Sequence, residues 1–221
     1  MVAVSLKNHE FGHAIHGLNS DVNYPSLSGT AVPRDYVEFP SQINEHWLPT
    51  KEVLSKFALH HKTGQPIPQT LVDRLEKAST FRQGFDVTEY LSSALIDMKL
   101  HLAGGAEIDP DAFERDELAK LSMPSEVVMR HRTPQFGHIF SSDGYSAGYY
   151  SYLWSETLAL DVVDAFQRSP GGMYDKPMAK RLHDNVMAVG NSIDPAVGYR
   201  NLMGRDVDVR AYLRDKGFPT G

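Results

Sequence analysis

Apolar side chains along this chain recur mostly at three- and four-residue spacing, and stretches of strict alternation are few. The clearest case is residues 86–103, where Leu91, Ala94, Leu95, Met98 and Leu102 fall on one face of a helix. The same reading predicts helices over residues 4–18, ending near Gly17, and over 34–47, where Pro40 kinks the helix or marks a restart. Further helices are expected over 50–61, over 68–78 with Pro68 at its first turn, and from Asp109-Pro110 onward. A long apolar helix is expected over 146–168, followed by shorter ones near 174–189, 194–203 and 207–216. Residues 19–33 are rich in Ser, Asn, Pro and Gly and read as a loop with a short strand. No repeat or low-complexity tract interrupts the pattern. The expectation is a mainly α fold with residues 1–221 forming one domain.

Composition narrows the chemistry. Hydrophobic residues make up 41% and charged residues 23%, enough to build a core. The net charge of −6 argues against nucleic acid and anionic membranes as partners, because both select clustered Lys and Arg. There is no cysteine, so any metal must sit on His, Asp or Glu, and a reducing, cytoplasmic setting is the expectation. No apolar run approaches the roughly 20 residues that span a bilayer.

The candidate chemistry begins at His9. In HEFGH, His9 and His13 are one helical turn apart and project from one face, so two imidazoles can hold one divalent cation. Glu10 then points at a water on the metal and can take its proton as general base. Two histidines and a glutamate also meet by chance on helices. Gly12 adds weight, since a glycine inside a helix costs about 1 kcal/mol relative to Ala and implies close packing there. Catalytic zinc usually has three protein ligands. The pattern that supplies a third His downstream is excluded, because His16 and Asn19 stand where it needs Gly and His. A carboxylate from a second helix is the alternative. Glu38, 25 residues after His13, is the first candidate and Glu45 the competitor. Asp35 reads as a carboxylate steadying a ligand imidazole, and His16 as a structural or supporting histidine.

Three segments, HEFGHAIHGL, SGTAVPRDYVEFPSQINEHW and FGHIFSSDGYSAGYYSYLW, together with the closing YRNLMGRDVDVRAYLRDKGF, resemble the thimet oligopeptidase family of zinc peptidases, and within it the peptidyl-dipeptidase branch. The resemblance covers essentially the whole chain. It implies a helical zinc-peptidase domain of the gluzincin type, forming the C-terminal part of a two-lobed channel fold. It also implies cleavage of short unstructured peptides with release of C-terminal dipeptides. Carried over by position, His9, His13 and Glu38 bind one Zn²⁺ and Glu10 is the base. His138, Tyr145 and Tyr152 match residues that bind substrate and stabilise the transition state, and Gly29, Thr30 and Tyr149 match substrate contacts. The spacing of Tyr145, Tyr149 and Tyr152 puts them on one face of the expected helix, where a phenol can donate to a developing oxyanion or simply pack. Arg130 and Arg132, just upstream, suit bidentate capture of a peptide's terminal carboxylate, or are surface charges.

The chain departs from the family pattern in two places. Asn8 stands where an apolar residue precedes the first His, and the loop before Tyr145 reads SSDG, poorer in glycine and one residue longer. Family members also carry a long region ahead of the metal helix that forms much of the channel's other wall. The chain therefore reads as a C-terminal segment, a peptidase by descent and either weakly active or partner-dependent by itself. Exposed apolar faces around Leu6, Phe11 or the tyrosines, and self-association, are expected to follow.

Overall fold

Local sequence signals account for several helix ends in the computed structural model, which describes residues 2–221, with side chains from Lys7 onward. The Leu6 side chain lies outside the described residues. In order, the helices are α1 (Val2–Asn19), α2 (Arg34–Glu45), α3 (Lys51–Phe57), α4 (Gln69–Ala78), α5 (Gln83–Leu102), α6 (Pro110–Lys120), α7 (Gly137–Phe140), α8 (Ser151–Arg168), α9 (Lys176–Leu182), α10 (Pro195–Met203) and α11 (Arg210–Asp215). The chain is mainly α. Among the described residues there is no strand, only an isolated bridge between Leu59 and Pro66. No helix among them is long and apolar enough to cross a membrane.

Asp109, Asp175 and Asp194 each cap a helix by accepting an amide hydrogen bond, from Ala112, Met178 and Ala196 respectively. Each is followed by a proline at the first or second helical position. These pairings match known N-cap and first-turn preferences, which at Asp109-Pro110 predicted the start from the sequence. Gly204, in the left-handed region, ends α10.

The differences from expectation fall at particular residues. Residues 19–33 contain a 3₁₀ turn, Pro25–Leu27, and no strand. α2 runs through Pro40 as one helix, because Phe39 and Ile43 on either side are buried in the main core and hold it in place. The helix expected over 50–61 stops at Phe57, and the one over 174–189 passes at His183 into a π-helical turn, His183–Met187. The largest correction concerns the tyrosines. α8 begins at Ser151, so Tyr145 and Tyr149 sit in the turns before it and do not share a helix face with Tyr152. Ala147 adopts a φ of +54°, which no continuous α-helix tolerates.

Two compact units form. One comprises the residues up to Phe81 together with Leu153–Gly221; the other is Arg82–Tyr152. In the first, Tyr36, Phe39 and Ile43 of α2 pack with Leu158, Val162 and Phe166 of α8 and with Leu202 of α10. A polar lock joins α8 to the closing segment of the chain. Asp161, fully buried, takes two hydrogen bonds from the Arg205 guanidinium at 2.6 and 2.7 Å, one from the Tyr199 hydroxyl at 2.6 Å and one from the Asp208 amide at 2.9 Å. Three residues of the YRNLMGRDVDV signature thus converge on one carboxylate. The second unit has a smaller core of Ile96, Met129, Phe136 and Ile139. Phe11 is exposed, as are Phe57, Phe81 and Leu102.

Candidate metal centre and tyrosine cluster

α1 and α2 cross unusually closely, and Gly12 is the reason. A β-carbon at Gly12 would lie 2.6 Å from the Ser41 Cα and 3.1 Å from the Asn44 Cβ. Beside that crossing, Asn8 and Asn44 clasp each other. Asn8 Nδ2 donates to the Asn44 carbonyl at 2.9 Å, and Asn44 Nδ2 donates to the Asn8 carbonyl at 2.8 Å. The polar residue at position 8 therefore has a partner on α2, which explains its departure from the apolar pattern.

This packing brings together the three residues proposed as ligands. His9 Nε2 and His13 Nε2 each lie 3.1 Å from the same oxygen of Glu38, Oε2. The two imidazoles stand at right angles with ring centroids 5.0 Å apart. All three donor atoms fall within 4.8 Å of one another, and they form the one such group among the described residues. Two imidazole nitrogens and a carboxylate oxygen suit Zn²⁺ and leave a fourth position for water or substrate. Glu38 is almost fully buried, with the Ser41 hydroxyl 3.2 Å from its Oε2.

Glu45, weighed as a rival ligand, sits on the other side of the ring, with Oε1 2.8 Å from His9 Nδ1. It orients the imidazole and fixes which nitrogen faces the cluster. The place expected for Asp35 is thus filled by Glu45; the backbone carbonyl of Asp35 accepts from Ser155. His16 is fully buried, and burial together with nearby His13 pushes its pKa down to about 4, so it is a neutral core histidine. Glu10 is exposed on α1 next to His9.

Glu38 first, then Glu45, raise the His9 pKa to about 9 against the opposing effect of burial. In the metal-free chain this contributes stability that is complete below about 6.5, the ordinary value, and is lost as pH rises through about 9. A cation competes with that proton. Metal uptake should therefore release protons, and apparent affinity should rise with pH up to about 9. Calorimetric zinc titrations in buffers of different ionisation enthalpy check this; an affinity independent of pH counts against His9 as a ligand.

In the loop ahead of α2, Gly29 is buried with φ +53°. A β-carbon there would meet the Gly17 Cα at 3.0 Å, and the Gly29 amide donates to the Ser20 hydroxyl at 2.6 Å. Thr30 is exposed.

The second unit gathers the aromatic candidates. His138 Nε2 and the Tyr152 hydroxyl are 3.0 Å apart. Tyr145 stacks on Tyr152 at 5.5 Å with the rings 9° from parallel, and lies 4.5 Å from the His138 ring. Tyr149 is wedged among Tyr152, Phe136 and Tyr90. Arg130 shares a shallow cleft with Tyr90, Ser93, His131 and Tyr149. Arg132 is held by Asp111 and Glu114, at 2.8 and 2.5 Å. Sequence reasoning missed Asp97, whose buried carboxylate accepts the amides of Ala147 and Tyr149 at 3.0 and 2.9 Å. The available signal was an acidic residue beside the apolar stripe of 86–103.

Residues 3–218, which carry this donor set, match the model of Peptidase family M3, and the chain belongs to that family. Among its relatives, dipeptidyl carboxypeptidase of Salmonella typhimurium is 42% identical over 213 residues, covering 95% of this chain and 31% of that protein. Dipeptidyl carboxypeptidase of Escherichia coli is 39% identical over 212 residues, and oligopeptidase A of Escherichia coli is 33% identical over 215 residues, with the same coverage. The chain spans about a third of the length of these relatives.

Proposed function

We propose that this chain is the catalytic segment of a zinc-dependent peptidase that hydrolyses short, unstructured peptides and releases dipeptides from their C-termini. The observation that carries this reading is the convergence of His9, His13 and Glu38 within 4.8 Å. When bound, zinc would polarise the scissile carbonyl and make water a stronger acid. His9, His13 and Glu38 would hold it, and Glu45 would keep His9 in the ligating orientation. Glu10 takes the proton from the attacking water and passes it to the leaving amine. Tyr152 donates to the oxyanion, with Tyr145 and His138 supporting it, a division of roles that rests on the family resemblance. The cysteine-free composition supports a cytoplasmic setting.

For the terminal carboxylate, Arg130 is the stronger candidate, since Arg132 already pairs with two carboxylates. A charged hydrogen bond contributes about 1.5–3 kcal/mol. Amidating the substrate's C-terminus should therefore slow cleavage about 10- to 100-fold, read by mass spectrometry beside metal analysis of the chain. Equal rates for free and amidated peptides would indicate an internally cutting oligopeptidase.

A second reading is that the chain binds zinc but needs a partner to turn over substrate. The exposed Phe11 on the metal helix α1, an apolar ring open to a partner, favours this. Adding the remaining portion of Escherichia coli dipeptidyl carboxypeptidase separates the two: activity that appears only on addition supports partner dependence. Light scattering on the chain alone tests self-association.

A further inference from the structure

Asp97 is a charge buried where burial is costly. It lies on α5 beside Ile96, at the small core of Met129, Phe136 and Ile139, and it is fully shielded from solvent. A carboxylate in such a place must be matched by donors. Oδ1 accepts the Ala147 amide at 3.0 Å and faces His101 Nδ1 at 2.9 Å, and Oδ2 accepts the Tyr149 amide at 2.9 Å. Both amide donors belong to the turn that carries Tyr145 and Tyr149. The first of them comes from Ala147, held at φ +54°, a conformation an L-residue keeps only when its surroundings impose it. Two other ties complete the anchorage: the Ser146 hydroxyl donates to the Ile139 carbonyl at 2.9 Å, and the Tyr90 hydroxyl donates to the Tyr149 carbonyl.

We propose that Asp97 is a positioning residue for the reaction: its carboxylate clamps the backbone of Ala147 and Tyr149, which sets Tyr145 flat against Tyr152 and beside His138. Its bearing on turnover rests on the peptidase reading above, whereas its hold on the turn does not. The clamp explains how Ala147, three residues past the SSDG loop, keeps a left-handed conformation, since two charge-assisted hydrogen bonds offset the strain that a glycine there would relieve.

The test is Asp97→Asn in the full chain, read by residue-resolved amide exchange and by steady-state kinetics. The asparagine keeps one acceptor oxygen and turns an N–H toward the other amide, so one clamp bond is lost. In the wild type, the Ala147 and Tyr149 amides should exchange slowly. In the variant, exchange should accelerate about 10- to 100-fold over residues 145–149. The other amides of Arg82–Tyr152 and the zinc content should be unchanged. kcat should fall about 10-fold or more with KM within about two-fold, the mark of groups needed in the transition state. Acceleration spread evenly over the unit would reveal a merely structural acid and overturn the proposal, and so would an unchanged kcat. Fast exchange of the two amides in the wild type would overturn it even if the variant failed to fold. A wild-type chain that cleaves no peptide, with or without the rest of a relative, would sink the peptidase reading, while the exchange rates would still decide the clamp.

Discussion

Glu10→Gln should leave zinc stoichiometry intact and cut peptide turnover by about 100- to 10,000-fold, the usual contribution of a positioned general acid–base. The substitution keeps size and one acceptor oxygen and removes the charge and the ability to accept a proton. Glu10 is exposed and stands outside the converging donor set of His9, His13 and Glu38, so neither folding nor metal retention should suffer. The measurement is metal content by mass spectrometry paired with kcat on a short peptide, alone and with the complementary portion of a relative. The contrast with a ligand is diagnostic: His13→Ala should lose metal and activity together. A Glu10→Gln chain with near-wild-type turnover would remove Glu10 from the mechanism.

Asp161→Ala should be the most damaging single change to stability, at about 3–5 kcal/mol, the usual result of removing one partner from a buried charged network. It strands the buried Tyr199 hydroxyl, removes both hydrogen bonds that tie the Arg205 guanidinium to α8 and leaves the Asp208 amide without its acceptor, so the closing segment loses its hold on α8. For a chain of this size the midpoint should fall by about 6–20 °C in thermal denaturation. The pH dependence supplies a second check. Burial pushes the Asp161 pKa up, but Arg205, Tyr199 and the Asp208 amide outweigh it and hold the carboxyl below its ordinary range. A depressed acid contributes stability above its unfolded value, about 3.9, and loses it as pH falls through the folded value. The gap between variant and wild type should thus be full at neutral pH and shrink in acid. A gap that persists unchanged in acid would mean that the damage is a packing defect.

How far the residues could be read depended on whether their partners were local. The spacing of His9 and His13 is local, and one helical turn brought them together. Gly12 was readable as a close-packing residue because its cost in a helix is intrinsic, and its neighbours proved to be Ser41 and Asn44. Glu38 was reachable as a carboxylate on a second helix. The division of labour between Glu38 and Glu45 was not, since seven residues of helix put both on one side and only the docking of α1 decides which nitrogen of His9 each one meets. The tyrosines were misplaced on one helix because their i, i+4, i+7 spacing is helical while the turn that breaks it is imposed from α5, by a carboxylate 50 residues upstream of Ala147. Asp161 escaped notice in the same way: its four hydrogen bonds all come from residues at least 38 positions away.

The seam between α1 and α2 is closed entirely by the chain's own atoms: a glycine against backbone, two asparagines clasped, a glutamate on an imidazole. Zinc fingers owe their folded state to the ion, so stripping it melts them. Here contacts between α1 and α2 that involve no ion already constrain the ligand side chains, so less of their ordering entropy has to be met by ion binding. Removal of a bound ion should then be a local, reversible event, and the affinity of the site should report coordination and proton displacement with little contribution from refolding. A site built this way should be emptied by a chelator and reloaded without global unfolding, so that the thermal midpoint survives chelation with little loss.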